Sequence, residues 1–332
     1  MKVLVTGGAG YIGSHCAIAL MEKGYDVVIL DNFSIGHEET VGALAKIRAP
    51  GKFSGMIKAD LTERSELDNI FDGSIDAVVH FAAFSQVGES MKDPDKYYHN
   101  NVDGTLNLLD AMLRGGVKKI VFSSTAAVYG EPEYVPIDED HPQRPINPYG
   151  ATKLTIEKIM DDYMAYGLRS VRLRYFNAAG ADTKCRVGEW HEPETHLIPN
   201  LLRSVFGNEF KLFGNDYPTR DGTCVRDYVN VEDLADAHIL ALEYLSDGGK
   251  TDFFNLGTNE GSTVLEVLKE CEKVTGKSIS VNVKPRREGD PASLIADNGK
   301  AKYILGWEPK RNLRHTIETA YAWEKKLAKL RK

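Results

Sequence analysis

Residues 2–13 read Lys2-Val3-Leu4-Val5-Thr6-Gly7-Gly8-Ala9-Gly10-Tyr11-Ile12-Gly13, and further on the chain runs Asp26-Val27-Val28-Ile29-Leu30-Asp31. Unbroken Val, Leu and Ile suit strands buried on both faces. Glycines at 7, 10 and 13 suit a turn that needs positive φ and lets a ligand approach the backbone closely. The helical stretch that follows ends at Gly24, a residue suited to a helix end. Strand, glycine-rich turn, helix and strand make the βαβ unit of a parallel sheet. The helix start beyond the turn offers free N–H groups and a positive dipole end, the setting for a pyrophosphate. Asp31 ends the second strand, where an acid would hold the adenosine ribose 2′-hydroxyl. No cation follows it in Asn32-Phe33-Ser34, so NAD is expected rather than NADP. Asp60-Leu61 is placed at the adenine edge.

Working outward, runs 75–81, 117–123 and 170–175 read as further strands of the same kind, separated by helical patterns. The expected fold is α/β, a doubly wound parallel (Rossmann) sheet with a smaller C-terminal α+β substrate domain. Residues 1–176 are expected to bind the dinucleotide. Residues 177–332 are expected to form the second domain, with a partial return to the first near 224–258. Beyond Tyr149, the residues Ile156, Ile159, Met160, Tyr163 and Met164 form a helical stripe that Gly167 ends. Thr263 and Glu266 read as a capping box with Val264, Val267, Leu268 and Cys271 behind it.

The chain has 332 residues, 41 Lys+Arg against 48 Asp+Glu, and a formal net charge of −7. A mildly acidic protein without a basic run is a poor nucleic-acid binder. Its apolar and charged content, 42% and 27%, is that of a globular chain and excludes disorder or a collagen-like repeat. Cys16, Cys185, Cys224 and Cys271 lack CxxC or zinc spacing, which points to reduced thiols and no metal. No apolar run is long enough to span a membrane, and the glycine turn comes too early for a cleavable leader, so a cytoplasmic protein is expected.

Tyr149-Gly150-Ala151-Thr152-Lys153 puts a phenol and an ammonium one helical turn apart, on one face. A free tyrosine titrates near ~10 and is a poor base at neutral pH. Positive charge from Lys153 and from an oxidised nicotinamide would favour phenolate and make it a workable base. Ser123-Ser124-Thr125 ends a strand upstream, where a hydroxyl could bond the same substrate oxygen.

These residues, with Val5 to His15, His80-Phe81-Ala82-Ala83, Asn100 to Thr105, Ser123 to Gly130, Pro148 to Lys153, Arg174 to Ala181, Phe213 to Tyr228 and Arg286 to Asp290, span nearly the whole chain. Together they resemble the extended short-chain dehydrogenase/reductases, and the 213–228 stretch resembles their nucleotide-sugar epimerase branch. The resemblance implies reversible inversion at C4 of UDP-galactose and UDP-glucose through bound NAD. Tyr149 would be the base, Lys153 its cationic partner, and Thr125 the hydroxyl partner, with Ser124 in that place if the register slips by one. NAD would be lined by Gly7, Gly10, Tyr11, Ile12, Gly13, Asp31, Asn32, Asp60, Leu61, Phe81, Ala82, Ala83, Asn101, Ser123, Tyr149, Lys153 and Tyr175. On the substrate, Thr125 and Tyr149 would meet the sugar, with Asn177 at the sugar or its phosphate. His196 and Leu197 would contact the UDP part, and Lys211, Leu212 and Phe213 would edge the uracil. Arg226 and Arg287 would clamp the diphosphate, and Asp290 would take the uridine ribose.

The chain also departs from that pattern. Ser85 replaces a Lys near the cofactor phosphates, His196 replaces Asn, and Asn230 stands where His is frequent. Leu294 replaces a bulky Tyr that restricts N-acetylated sugars, so activity on UDP-N-acetylhexosamines is also expected. Ala126-Ala127 cannot transfer protons, which argues against a 4,6-dehydratase or decarboxylase. A UDP-glucuronate or UDP-pentose epimerase is the alternative, and an NAD-binding regulator would have lost Tyr149 or Lys153. A homodimer through helices at about 101–114 and 150–166 is implied. Leu106, Leu109, Met112 and Leu113 suit either that interface or packing within one chain.

Overall fold

The computed structural model describes residues 1–207, 209–287 and 290–331. Its first half alternates strand and helix. The order is β1 (Lys2–Thr6), α1 (Tyr11–Glu22), β2 (Asp26–Asp31), α2 (Glu38–Leu44), β3 (Phe53–Lys58), β4 (Ala77–His80), two short helices α3 (Val87–Ser90) and α4 (Pro94–Tyr97), α5 (Gly104–Arg114), β5 (Lys119–Thr125), α6 (Pro148–Asp162) and β6 (Arg169–Tyr175). The second half runs β7 (Asn177–Ala179), α7 (Leu197–Ser204), β8 (Phe210–Phe213), β9 (Val225–Arg226), β10 (Tyr228–Asn230), α8 (Val231–Ser246), β11 (Asp252–Leu256), β12 (Ser262–Thr263), α9 (Val264–Thr275), β13 (Val281–Lys284), β14 (Ser293–Leu294), α10 (Gly299–Leu305) and α11 (Leu313–Leu330).

Seven parallel strands form one sheet in the order β11-β6-β5-β4-β1-β2-β3. Alternate side chains enter different cores, because successive residues of a strand face opposite ways. Val3, Val5, Val27, Ile29 and Val121 join one core with α1 and α8, through Ala17, Leu20, Leu234 and Leu242. Leu4, Leu30, Ile120 and Phe122 join the other with α5 and α6, through Leu108, Leu109, Met112, Ile156 and Met160. The sheet is therefore covered on both faces, as the doubly wound expectation requires. Leu109 and Met112 are fully buried in the chain's own core, whereas Leu106 only packs against its edge.

β5 extends through Thr125, two residues past the expected end, since its ladder to β6 continues to Thr125 opposite Tyr175. The stripe on α6 holds for Ile156 and Met160. It fails at Met164, half exposed, because the α-helix ends at Asp162 and a tighter 3₁₀ turn over Tyr163–Tyr166 rotates that position outward. Gly167 closes the turn at φ 84°. The capping box at Thr263 and Glu266 is present, with Val264, Val267, Leu268 and Cys271 buried behind it.

Beyond residue 177 the chain builds short sheets, β7 with β10, β8 with β13, and β9 between β12 and β14. A third core of Ile198, Leu201, Leu202, Val267, Leu268 and Ile317 binds α7, α9 and α11 together. Within that stretch α8 lies on the first core, and β11 pairs with β6 at the sheet edge. Strand order reverses between β1 and β4, where crossovers on opposite faces diverge and leave a crevice at the strand ends.

Candidate active site

That crevice opens into a cleft of about 1690 Å³. At one end lies the turn between β1 and α1. Gly7 has φ 69°, and a Cβ there would stand 2.7 Å from Ala82 N, in the turn after β4. A Cβ on Gly13 would stand 2.2 Å from Gly7 O, so α1 can approach only without one. Gly10 caps α1 with no side chain bonded to the helix start, and the first turn carries no acid. The exposed N–H ends of α1 suit a pyrophosphate, and the residues fit NAD on that ground. Asp31 is buried and accepts from Ala9 N at 3.0 Å and Phe33 N at 2.8 Å, which fixes its carboxylate at the cleft edge. Burial pushes its pKa up, and these N–H donors and His37 pull it back. Asn32 donates to Asp60 at 2.8 Å, so those two expected cofactor residues hold each other. Leu61, Phe81, Ala82 and Ala83 line the same wall. The Tyr11 hydroxyl donates to Gly180 O at 2.7 Å and is spent there, leaving ring and backbone at the cleft.

Midway, Tyr149 rises from the first turn of α6 and Lys153 from the next. Asn147 caps this helix by accepting from Gly150 N at 2.8 Å, and Pro148 occupies its first position. Lys153 Nζ stands 6.0 Å from the Tyr149 ring centre and donates to Ser123 O at 2.8 Å. Thr125 comes from the end of β5, and its Oγ1 accepts from Ala127 N at 3.1 Å. Burial pushes the Tyr149 phenol up to about 12, with Thr125 pulling it down, and pushes Lys153 down to about 7, with Glu157 pulling it up. In the protein alone, desolvation thus opposes the phenolate that the sequence reading calls for. Ser123 pairs its hydroxyl with Tyr175 at the cleft floor.

At the far end, Arg226 is nearly buried. It donates to Val225 O and Pro291 O, both at 2.8 Å, and to Asp290 at 3.0 Å. Arg287 is exposed and lies over the Phe213 ring at 4.1 Å. Lys211, Leu212, Asn177, Leu197 and Leu294 line this end too. His196, half-exposed, precedes α7 and bonds Glu189; the dry surroundings on the Glu189 side of its ring oppose its charge, but the carboxylates of Glu189 and Glu194 outweigh that and raise its pKa.

Two expected residues do not line the cleft. Ser124 points the opposite way and donates to Glu157, because neighbours on a strand face opposite sides. Asn101 is fully buried in a wide π turn over Tyr98–Asp103. It accepts from Phe84 N at 2.9 Å and donates to Phe84 O at 3.0 Å, bracing the Phe81–Phe84 wall from behind.

The family model described as GDP-mannose 4,6 dehydratase matches residues 4–320. A UDP-glucose 4-epimerase of Rhizobium meliloti is 52% identical over 326 residues, 97% of this chain and 96% of that protein. The chain belongs to the extended short-chain dehydrogenase/reductases, in the UDP-glucose 4-epimerase family. The crystal structure of UDP-glucose 4-epimerase from Brucella ovis in complex with NAD is similar at TM-score 0.91 and 44% identity, covering 97% of each chain. The UDP-Glc/GlcNAc 4-epimerase from Campylobacter jejuni is similar at TM-score 0.85 and 40% identity, covering 98% of this chain and 99% of that one.

In this epimerase-family chain the sequence reading passed over Glu157. It lies one turn beyond Lys153 on α6, is buried, and accepts from Arg174 Nε at 2.9 Å as well as from Ser124. The i, i+4, i+8 spacing of Tyr149, Lys153 and Glu157 was the available signal. His80 has a structural role. Its ring bridges Thr6 at 2.6 Å and Thr105 at 2.9 Å, and burial, then the Lys153 charge, lowers its pKa to about 3.

Lys153 is expected to leave a signature in stability. Burial lowers its pKa to about 7 from an ordinary 10.5. Between those values the unfolded chain holds more protons than the folded one, so this residue makes cofactor-free stability rise with pH. Lys153→Met is expected to flatten that rise in urea unfolding followed across the window. An unchanged slope would contradict the lowered pKa of the buried Lys153 amine.

Proposed function

We propose that the protein interconverts UDP-galactose and UDP-glucose at C4 using NAD. Residues of the half built by the seven-stranded sheet would hold NAD, and residues mainly after 177 would hold UDP. The observation that carries this reading is the placement of Tyr149, Lys153 and Thr125 midway along one cleft. An uncapped helix start lies at one end of that cleft and the Arg226 and Arg287 cations at the other. When bound, NAD would supply at C4 an acceptor that takes a hydride and gives the same hydride back, and in its oxidised form positive charge beside the phenol. Tyr149 takes the proton of the 4-hydroxyl, Thr125 holds the same oxygen, and Lys153 favours the phenolate. Arg226 and Arg287 hold the diphosphate while the 4-keto sugar turns and presents its other face. Tyr149 then returns its proton to the reduced sugar. Firm contacts at UDP and few at the hexose suit a step in which only the sugar rotates. Ala126 and Ala127 line the cleft and carry no proton, which separates this chemistry from dehydration.

Proton NMR of UDP-galactose with the purified protein and no added NAD is expected to show the UDP-glucose anomeric signal growing to equilibrium. Tyr149→Phe is expected to lower kcat by about 10²–10⁴. No conversion even with NAD supplied would overturn the reading and turn attention to UDP-glucuronate or UDP-pentoses.

Leu294 faces the cleft from β14, in register with Arg226. Its size leaves room for an N-acetyl group, so the protein is expected to epimerise UDP-N-acetylglucosamine as well. Leu294→Tyr should lower that activity relative to UDP-glucose by about 10-fold or more. Inactivity of the unaltered protein on this substrate would refute the role of Leu294.

A cytoplasmic homodimer completes the proposal. Among the described residues no helix is long and apolar enough to cross a membrane, and four unpaired cysteines suit a reducing compartment. The free sides of α5 and α6 would meet across a two-fold axis, with Leu106 half-buried on one and Met164 and Tyr166 exposed just past the other. Sedimentation is expected at twice 36.8 kDa, and recovery in the cytoplasmic fraction; a monomer or an exported protein would overturn the matching part.

A further inference from the structure

The loop before α7 contains Glu189-Trp190-His191-Glu192-Pro193-Glu194-Thr195-His196, with Glu-x-His occurring twice. Folding gathers Glu189, His191, Glu194 and His196 so that one donor atom of each lies within 4.8 Å of the others. His191 Nδ1 stands 3.2 Å from Glu189 Oε1 and 4.0 Å from Glu194 Oε1, and His196 Nδ1 stands 3.6 Å from Glu194 Oε1. Bonds of about 2.0–2.1 Å to a tetrahedral zinc-class ion place neighbouring donors about 3.3 Å apart. These separations bracket that edge, while the hydrogen-bonded His196–Glu189 pair is shorter, so an ion would open that pair and draw the wider ones in.

Two further observations point to a cation. His191 Nδ1 is buried and faces Glu189 Oε1 at 3.2 Å without the alignment of a hydrogen bond, so its lone pair is open to a metal ion in the set. The Glu189 and Glu194 side chains are 6% and 2% exposed, so two carboxylates share a nearly dry site. Arg203 reaches Glu194 Oε2 from outside at 3.5 Å, while Glu194 Oε1 is steadied by the Thr195 and His196 N–H groups. The frame is held independently of any ion. Trp323 Nε1 donates to Glu189 O at 2.8 Å, the His191 ring meets Tyr11 edge-on, and Trp190 stacks on His37 at 3.9 Å. His196, 52% exposed, leaves a path in from the cleft.

We propose that Glu189, His191, Glu194 and His196 bind one divalent transition-metal ion of the zinc class at the cleft wall beside α7. Two imidazoles and two carboxylates suit Zn²⁺ and Co²⁺ better than soft ions or the all-oxygen preference of Mg²⁺ and Ca²⁺. On binding, His196 releases to water the Nδ1 proton it shares with Glu189, and the ion takes its place. Positive charge stays at the point where His196 and Leu197 face the cleft. Because His191 packs on Tyr11 of α1, the ion would tie this loop to the dinucleotide turn.

The test uses untagged full-length protein, chelator-treated, with Co²⁺ alone as probe. One Co²⁺ per chain, with the strong visible absorption of a tetrahedral site that Zn²⁺ abolishes, is the expected result. His191→Ala and Glu194→Gln are expected to weaken binding by about 100-fold or more, with circular dichroism showing whether each variant folds. Zn²⁺ should raise the thermal midpoint of the unaltered protein alone. No stoichiometric binding, or equal affinity in folded variants, overturns the proposal. Should both variants fail to fold, the spectrum of the unaltered protein decides, since this is the only such grouping of His and acid side chains among the described residues.

Discussion

The close approach of α1 to the glycine turn is the constraint on which the cleft rests. Gly13 lies so near the Gly7 carbonyl, and Gly7 so near the backbone of Ala82, that no side chain fits at either contact. This contact sets the start of α1 over the end of β1, next to the point where strand order reverses. From there the positive end of α1, the Asp31 carboxylate and the Phe81–Ala83 wall all face one crevice. The same closeness lets His80 bridge Thr6 and Thr105 beneath the wall, a neutral brace rather than a proton carrier.

Buried charge organises the middle of the cleft. Lys153 is nearly inaccessible and keeps its hydrogen bond to the Ser123 carbonyl, while Phe122 lies 4.6 Å beneath the ammonium. The neighbouring acid, Glu157, is itself held by Arg174, whose guanidinium packs 4.0 Å from the Phe253 ring. A buried carboxylate without such a cation would be strongly disfavoured. The pair therefore stabilises the setting of Lys153 and uses the Ser124 hydroxyl that the strand turns away from the cleft. The Tyr149 phenol, pushed up by burial, depends on added positive charge to ionise.

Much of this was legible in the linear chain because it is local. Apolar runs, glycine spacing, the Asp31 strand end, the Tyr149–Lys153 turn and the Thr263–Glu266 cap each depend on residues a few positions apart. The helix end at Asp162 was not, since the change from α to 3₁₀ over Tyr163–Tyr166 leaves the apolar pattern unaltered. Nor was the inward packing of Leu109 and Met112, because an apolar stripe has the same appearance whether its cover is the chain's own sheet or a second copy.

The sequence by itself determined the parallel βαβ framework, the preference for an acid at the end of β2, and the phenol–ammonium pair, because strand and helix periods assign those faces without distant partners. Only the tertiary structure decided that Ser124 turns to Glu157, that Asn101 supports the wall instead of lining it, and that Arg226 is already engaged by Asp290. It alone gathered Glu189, His191, Glu194 and His196 around one point. Each of these rests on contacts between separate elements or on the exact path of a loop, and residue spacing carries no information about such distances.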